Sequence, residues 1–274
     1  MVTPELRRWI EAQTALGHGP EALMNSMLQA GWSREDARAA LHADQDSEGP
    51  AGSSAAPGIQ PPGLLDGPVR RDGGDRFVDV LMAMREPEIV LFGGLLDAAE
   101  CQALMEAARP RLSRSLTVDV KSGGEELNED RTSQGMFFTR GESPLIARIE
   151  ARIATLLGWP VENGEGLQVL RYGPGAEYKP HYDYFDPAEP GTATILQRGG
   201  QRVATLIMYL NEPAQGGATI FPDVRLQVAP QRGHAVFFSY DQPHPSTHSL
   251  HGGAPVIEGE KWVATKWLRE REFS

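Results

Sequence analysis

A histidine and an aspartate stand two residues apart in the stretch YKPHYDYFDP, residues 178–187. Along an extended strand successive side chains alternate between faces, so His181 and Asp183 would share one face and converge on a point. An imidazole and a carboxylate that converge can hold a proton, a polar substrate or a metal ion. Far downstream, QPHPSTHSLHGG adds His244, His248 and His251. A His-x-Asp pair plus one distant histidine has the composition of a facial triad, two imidazoles and a carboxylate on one side of a metal. The opposite side stays open, which suits non-haem Fe(II) in oxygen chemistry. Any of the three downstream histidines satisfies that composition, and a surface His–Asp hydrogen bond would explain the dipeptide alone.

Such a site needs strands to hold it. From about residue 167 short apolar runs, LQVLRYG, RVATLIMYLN, ATIFP, LQVAPQRG, AVFFSY and KWVATKWL, alternate with Gly and Pro turns. That rhythm predicts a β sandwich or barrel. Ahead of it, RFVDVLMAMRE, LDAAECQALMEAARPRL and SPLIARIEARIATLLG are predicted to be helices, with Asp97 and Pro110 as boundary signals for the second. Residues 76–274 are therefore expected to form one domain, mainly β with flanking helices, of the α+β class. Residues 46–75 are rich in Gly, Pro, Ser and Ala without apolar period, and predict a flexible linker. Residues 1–45 predict a small all-α module of three short helices. Thr3-Pro4-Glu5 opens the first, Pro20 the second and Ser33-Arg34-Glu35-Asp36 the third. This pattern is similar to a ubiquitin-associated module. No internal repeat is evident.

Composition narrows the function classes. The formal charge of −11 over 274 residues argues against non-specific nucleic-acid binding, which needs a basic surface, and against an anionic membrane surface. The single cysteine, Cys101, excludes an internal disulfide and a cysteine-rich zinc site. The start, MVTPELRRWIEAQ, lacks the apolar segment of a signal peptide, and no run is long enough to span a bilayer. A cytoplasmic location is the expectation.

The ordered segments GLQVLRYGPGAEYKPHYDYF, GGQRVATLIMYLNEPAQGGATIFPDV, GHAVFF and HGGAPVIEGEKWVATKWLRE together resemble the catalytic core of the prolyl 4-hydroxylases. That family consists of Fe(II)- and 2-oxoglutarate-dependent dioxygenases on a double-stranded β-helix, or jelly-roll, core. The resemblance covers about residues 76–274 and is densest over 165–269. It implies His251 as the third ligand beside His181 and Asp183, because Pro255 and Lys261 follow it at the family's spacing. It implies that Lys261 anchors the distal carboxylate of 2-oxoglutarate, by a charge-assisted bond, with Thr219 and Tyr172 hydrogen-bonding the co-substrate. It further implies Arg131, Ser133, Glu165, Arg202 and Trp267 as substrate-binding residues, O2 as co-substrate, ascorbate as reductant, and a peptidyl-proline substrate converted to 4-hydroxyproline with succinate and CO2. Relatives often carry a histidine where this chain has Arg269. Other readings are an oxygenase acting on a free amino acid, or an interaction protein that recruits a partner through residues 1–45. The polar segments 122–133 and 186–201 suggest lids.

Overall fold

Alternating burial along short strands builds two facing sheets. The computed structural model describes residues 66–114, 116–118, 125–127 and 132–274, with Met24 and Met27. The chain divides into two compact units, Met1–Pro57 and Gly58–Ser274, and the second carries the site residues. Apart from Met24 and Met27, both helical, the expected helical module lies outside the described residues, as does most of the expected linker.

The strands in chain order are β1 (Arg70–Asp72), β2 (Phe77–Met84), β3 (Ile89–Gly93), β4 (Ser113–Arg114), β5 (Leu116–Val118), β6 (Glu125–Leu127), β7 (Gln134–Phe138), β8 (Leu167–Tyr172), β9 (Tyr178–His181), β10 (Arg202–Tyr209), β11 (Gln215–Gly216), β12 (Thr219–Phe221), β13 (Leu226–Val228), β14 (Ala235–Ser239), β15 (His251–Gly253), β16 (Val256–Glu258) and β17 (Lys261–Arg269). Nine form a large sheet in the order β1-β2-β3-β14-β10-β17-β8-β7-β4, and four form a small sheet, β13-β12-β15-β9. All pairings are antiparallel. The non-sequential order is that of a double-stranded β-helix, and it keeps both faces of the central strands dry.

Two long helices cover the outer face of the large sheet. Helix α1 (Ala98–Ala108) starts at a capping box: Asp97 accepts from the Glu100 amide and Glu100 from the Asp97 amide. Helix α2 (Pro144–Leu157) starts with Ser143 as cap and Pro144 in its first turn, and ends at Gly158, whose φ of 62° only glycine adopts without strain. Its apolar stripe, Ile146, Ile149, Ile153 and Leu157, packs into the helix-side core with Trp262, Ala264 and Leu268 of β17. A second core, including Leu170, Phe221, Phe238 and Val263, fills the space between the sheets.

The structure corrects two expectations. RFVDVLMAMRE is not helical; Phe77–Met84 is strand β2, with Val78, Val80, Met82 and Met84 facing in and Phe77, Asp79, Leu81 and Ala83 exposed. The period is two, which no helix accommodates. Ordered structure also begins before residue 76. Arg70–Asp72 pairs with β2, and Asp75 accepts two bonds from the buried Arg152 guanidinium, at 2.7 and 2.6 Å. The composition of that stretch carries no trace of these distant partners.

Candidate active site

Strands β9 and β15 of the small sheet are adjacent, and their register sets His181 directly opposite His251. The Nδ1 of His181 lies 2.9 Å from the carbonyl of Lys179, and that of His251 lies 3.0 Å from the carbonyl of Ser249. A carbonyl can only accept, so each Nδ1 carries the proton and each Nε2 presents a lone pair. Burial holds the His251 imidazole neutral, its pKa pushed down to about 4.

Asp183 reaches the same point by a different route from the one its spacing suggests. Strand β9 ends at His181, so strand alternation does not orient the carboxylate. Thr205 on β10 does so instead, donating its hydroxyl to Asp183 Oδ2 at 2.7 Å, and the Tyr240 hydroxyl lies 3.0 Å from Thr205 Oγ1. Asp183 Oδ1 is 3.5 Å from His181 Nε2, and Oδ2 is 3.4 Å from His251 Nε2. Burial works against the charge on Asp183, but His251, His181 and Arg202 outweigh it and hold the carboxyl well below the usual range. The three ligand atoms lie within 4.8 Å of one another, and no other such group exists among the described residues. His244 and His248 do not join them: His244 Nδ1 meets Ser246 Oγ at 2.9 Å, and the exposed His248 faces Asp223.

Lys261, Thr219 and Tyr172 line the same cavity as the triad. The β17–β8 register places Lys261 opposite Tyr172, and Thr219 of β12 pairs with Gly253 of β15. Thr219 Oγ1 accepts from the Tyr209 hydroxyl at 2.8 Å. Lys261 is 4 % exposed. No carboxylate of the described residues forms an ion pair with it, and burial alone pushes its pKa down to about 8. The rings of Tyr172 and Tyr209 lie 5.6 and 6.0 Å from its Nζ. An anion is what such a cation lacks.

The expected substrate residues separate into groups. Glu165 and Arg202 form a two-point ion pair at 2.7 and 2.9 Å, with Glu165 buried and Arg202 partly so. The Arg202 guanidinium stacks 4.1 Å over the ring of Trp267, which lines the cavity. Ser133 is buried but does not line the cavity, and Arg131 lies outside the described residues. Arg269 donates to Glu165 at 2.9 Å and to the carbonyls of Ile195 and Arg198. It thereby ties helix α3 (Thr192–Ile195), within the 186–201 segment, to the Glu165–Arg202 pair. Of the 122–133 segment, only β6, Thr132 and Ser133 are described.

Thr205, Tyr240, Tyr209 and Tyr178 were not expected at the site. Tyr178 stacks on His181 at 3.7 Å between ring centroids. The two are three positions apart, an odd spacing that period two assigns to opposite faces. The β9–β15 register shifts between His251 and Gly253, and that irregularity lets both rings face the cavity. Its one sequence signal is Pro180, which cannot donate to the ladder.

Three comparisons bear on this geometry. Residues 167–269 match the family model described as the 2OG-Fe(II) oxygenase superfamily. Prolyl 4-hydroxylase 5 of Arabidopsis thaliana is 40% identical over 221 residues, which is 73% of this chain and 74% of that protein. Prolyl 4-hydroxylase 1 of the same plant is 44% identical over 207 residues, 69% of this chain and 71% of that one. Among solved structures, a viral collagen prolyl hydroxylase from Paramecium Bursaria Chlorella virus-1, in complex with 2OG, is 32% identical. It covers 66% of this chain and 95% of its own, with a TM-score of 0.51.

Proposed function

From the premise that this chain belongs to the prolyl 4-hydroxylases, Fe(II)- and 2-oxoglutarate-dependent dioxygenases, we infer that it hydroxylates proline within a peptide or protein. We assign Fe(II) to His181, Asp183 and His251, and 2-oxoglutarate to Lys261, Thr219 and Tyr172. The observation that carries this reading is one cavity lined both by a facial triad and by a buried lysine that no carboxylate of the described residues pairs.

The donor set fits iron: two imidazole Nε2 atoms and one carboxylate suit a hard-to-borderline divalent metal, and they would occupy one side of it. When bound, iron with 2-oxoglutarate supplies the oxidising chemistry, in which one atom of O2 reaches proline and the other leaves in succinate beside CO2. The chain's own residues bind, orient and exclude water. The carbonyls of Lys179 and Ser249 fix the imidazole tautomers. Thr205 holds Asp183 Oδ2, which leaves Oδ1 toward His181. Lys261 meets the distal carboxylate of 2-oxoglutarate in a low-dielectric pocket, where a charge-assisted bond is strong. Thr219 has its hydroxyl hydrogen free for that carboxylate, because its oxygen already accepts from Tyr209. Arg202, fixed by Glu165 and lying over the ring of Trp267, shapes the entrance for the peptide. Arg131 and Ser133 complete the proposed substrate set, and ascorbate is the reductant expected to keep iron ferrous.

The test is mass spectrometry of proline-containing peptides after incubation of the iron-loaded protein with 2-oxoglutarate and air. One added oxygen on proline, matched by equimolar succinate and lost in His181→Ala, is the expected result. Succinate without oxidised proline overturns the substrate assignment while keeping the site. Absence of both from protein that binds iron overturns the reading.

A further inference from the structure

Strand β7 carries an aromatic ring where a buried strand should not expose one. Phe137 is 47 % exposed, while its neighbours Met136 and Phe138 are buried in the helix-side core. Alternation therefore sends Phe137 to the other face of the large sheet. The register says what lies on that face. Phe137 pairs with Gln168, Gln168 with Thr265, and Thr265 with Ile207. Thr265 and Ile207 line the active-site cavity, so Phe137 stands at the outer end of a cavity-facing row. Its ring lies 6.4 Å from that of Trp267, tilted by 35°. The indole Nε1 of Trp267 is buried and has no hydrogen-bond partner among the described residues. A buried N–H without an acceptor is costly, so it calls for a ligand oxygen. An exposed phenyl ring beside it calls for apolar cover.

Resting on the prolyl hydroxylase reading, we propose that Phe137 is a specificity-determining residue. With Trp267 it forms a subsite that takes an uncharged, apolar side chain flanking the reacting proline, while the Trp267 N–H donates to a main-chain carbonyl of the same peptide. The subsite is continuous with the cavity through Trp267, over whose ring the Arg202 guanidinium lies at 4.1 Å. A charged flanking side chain would lose its hydration against the phenyl ring, and the nearby Arg202 cation is already held at two points by Glu165.

The experiment uses the full chain loaded with Fe(II), and short peptides that differ only in the residue before or after a single proline, Leu or Glu. The wild type is expected to prefer Leu over Glu by about tenfold in kcat/KM on one flank, the size that one apolar contact provides. Phe137→Ser should bring that ratio close to one through KM, with peptide-independent succinate formation unchanged. Phe137→Leu keeps an apolar side chain without the ring, should retain an intermediate ratio, and serves if the serine variant does not fold. An unaltered ratio in both variants, or no preference on either flank in the wild type, overturns the subsite. Hydroxylation of none of the peptides, with succinate still formed, overturns the proline reading and the subsite together.

Discussion

Lys261 and Lys266 are buried on one strand, β17, and face opposite sides of the large sheet. Lys266 points to the helix side, where Glu150 of α2 meets its Nζ at 2.6 Å and the carbonyl of Glu165 accepts a second bond. Burial pushes its pKa down and Glu150 resists that shift. Lys261 points between the sheets, where burial pushes its pKa down to about 8 and no carboxylate of the described residues resists. One lysine has its counter-charge within the fold. The other leaves that place for something the fold does not contain. A buried charge is costly until paired, so the unpaired cation marks the binding site, and the paired one marks the scaffold.

Substitution should separate the two. Lys261→Met is expected to lower kcat/KM for 2-oxoglutarate about a thousandfold, since one carboxylate would lose its only buried cation. The same variant, without ligand, should melt at a higher temperature than the wild type. An unchanged succinate rate would break the contrast. Lys266→Met should do the reverse. It strands Glu150 and is expected to cost about 3–5 kcal/mol of stability in denaturant titration. The folded fraction should bind 2-oxoglutarate as the wild type does. Adding Glu150→Met should recover most of that stability, and failure to recover would deny that the pair is self-contained.

Thr205→Val tests the metal end, where orientation depends on a neighbour. Loss of its hydrogen bond to Asp183 should weaken metal affinity by about 10–100-fold, as changes behind metal ligands commonly do. A spectroscopic titration with Co(II) would measure it. The smallest effect is one of pH. Lys261 must be protonated to hold a carboxylate, so 2-oxoglutarate affinity should be flat below about pH 8 and fall about tenfold per unit above it. Ligand-free stability has the opposite sign. The unfolded lysine keeps its proton up to its ordinary value of 10.5. Between about 8 and 10.5 the unfolded state therefore holds more protons at this lysine, so the contribution of Lys261 to stability rises with pH across that window. Lys261→Met should remove its contribution to both, which a comparison of the variant's pH profiles with those of the wild type would measure.

The sequence carried those parts of the site that depend on residue type and short spacing. The His-x-Asp pair, the distant histidine and the lysine after it are all found at one cavity, and short apolar runs between turns are found as strands. Contacts set by tertiary register were not legible. Thr205 is an ordinary strand threonine until β10 passes behind Asp183. Glu165 and Arg269 meet across 104 positions in the chain. Phe77–Met84 was not legible: seven of its eight residues are apolar, so the alternation lies in burial and not in residue type, and its helix-favouring residues (Leu, Met, Ala) point the other way. The pairing of His181 with Asp183 was reached by alternation, whereas the structure achieves it through a turn and a threonine.

Each histidine is held by a carbonyl two residues upstream on its own chain segment, and the two segments are neighbours in one ladder. Neither ring has to search for its orientation when a metal arrives. The rate of metal capture should then follow the loss of water from the incoming ion, giving an order among divalent metals that tracks their water-exchange rates and not any motion of the protein.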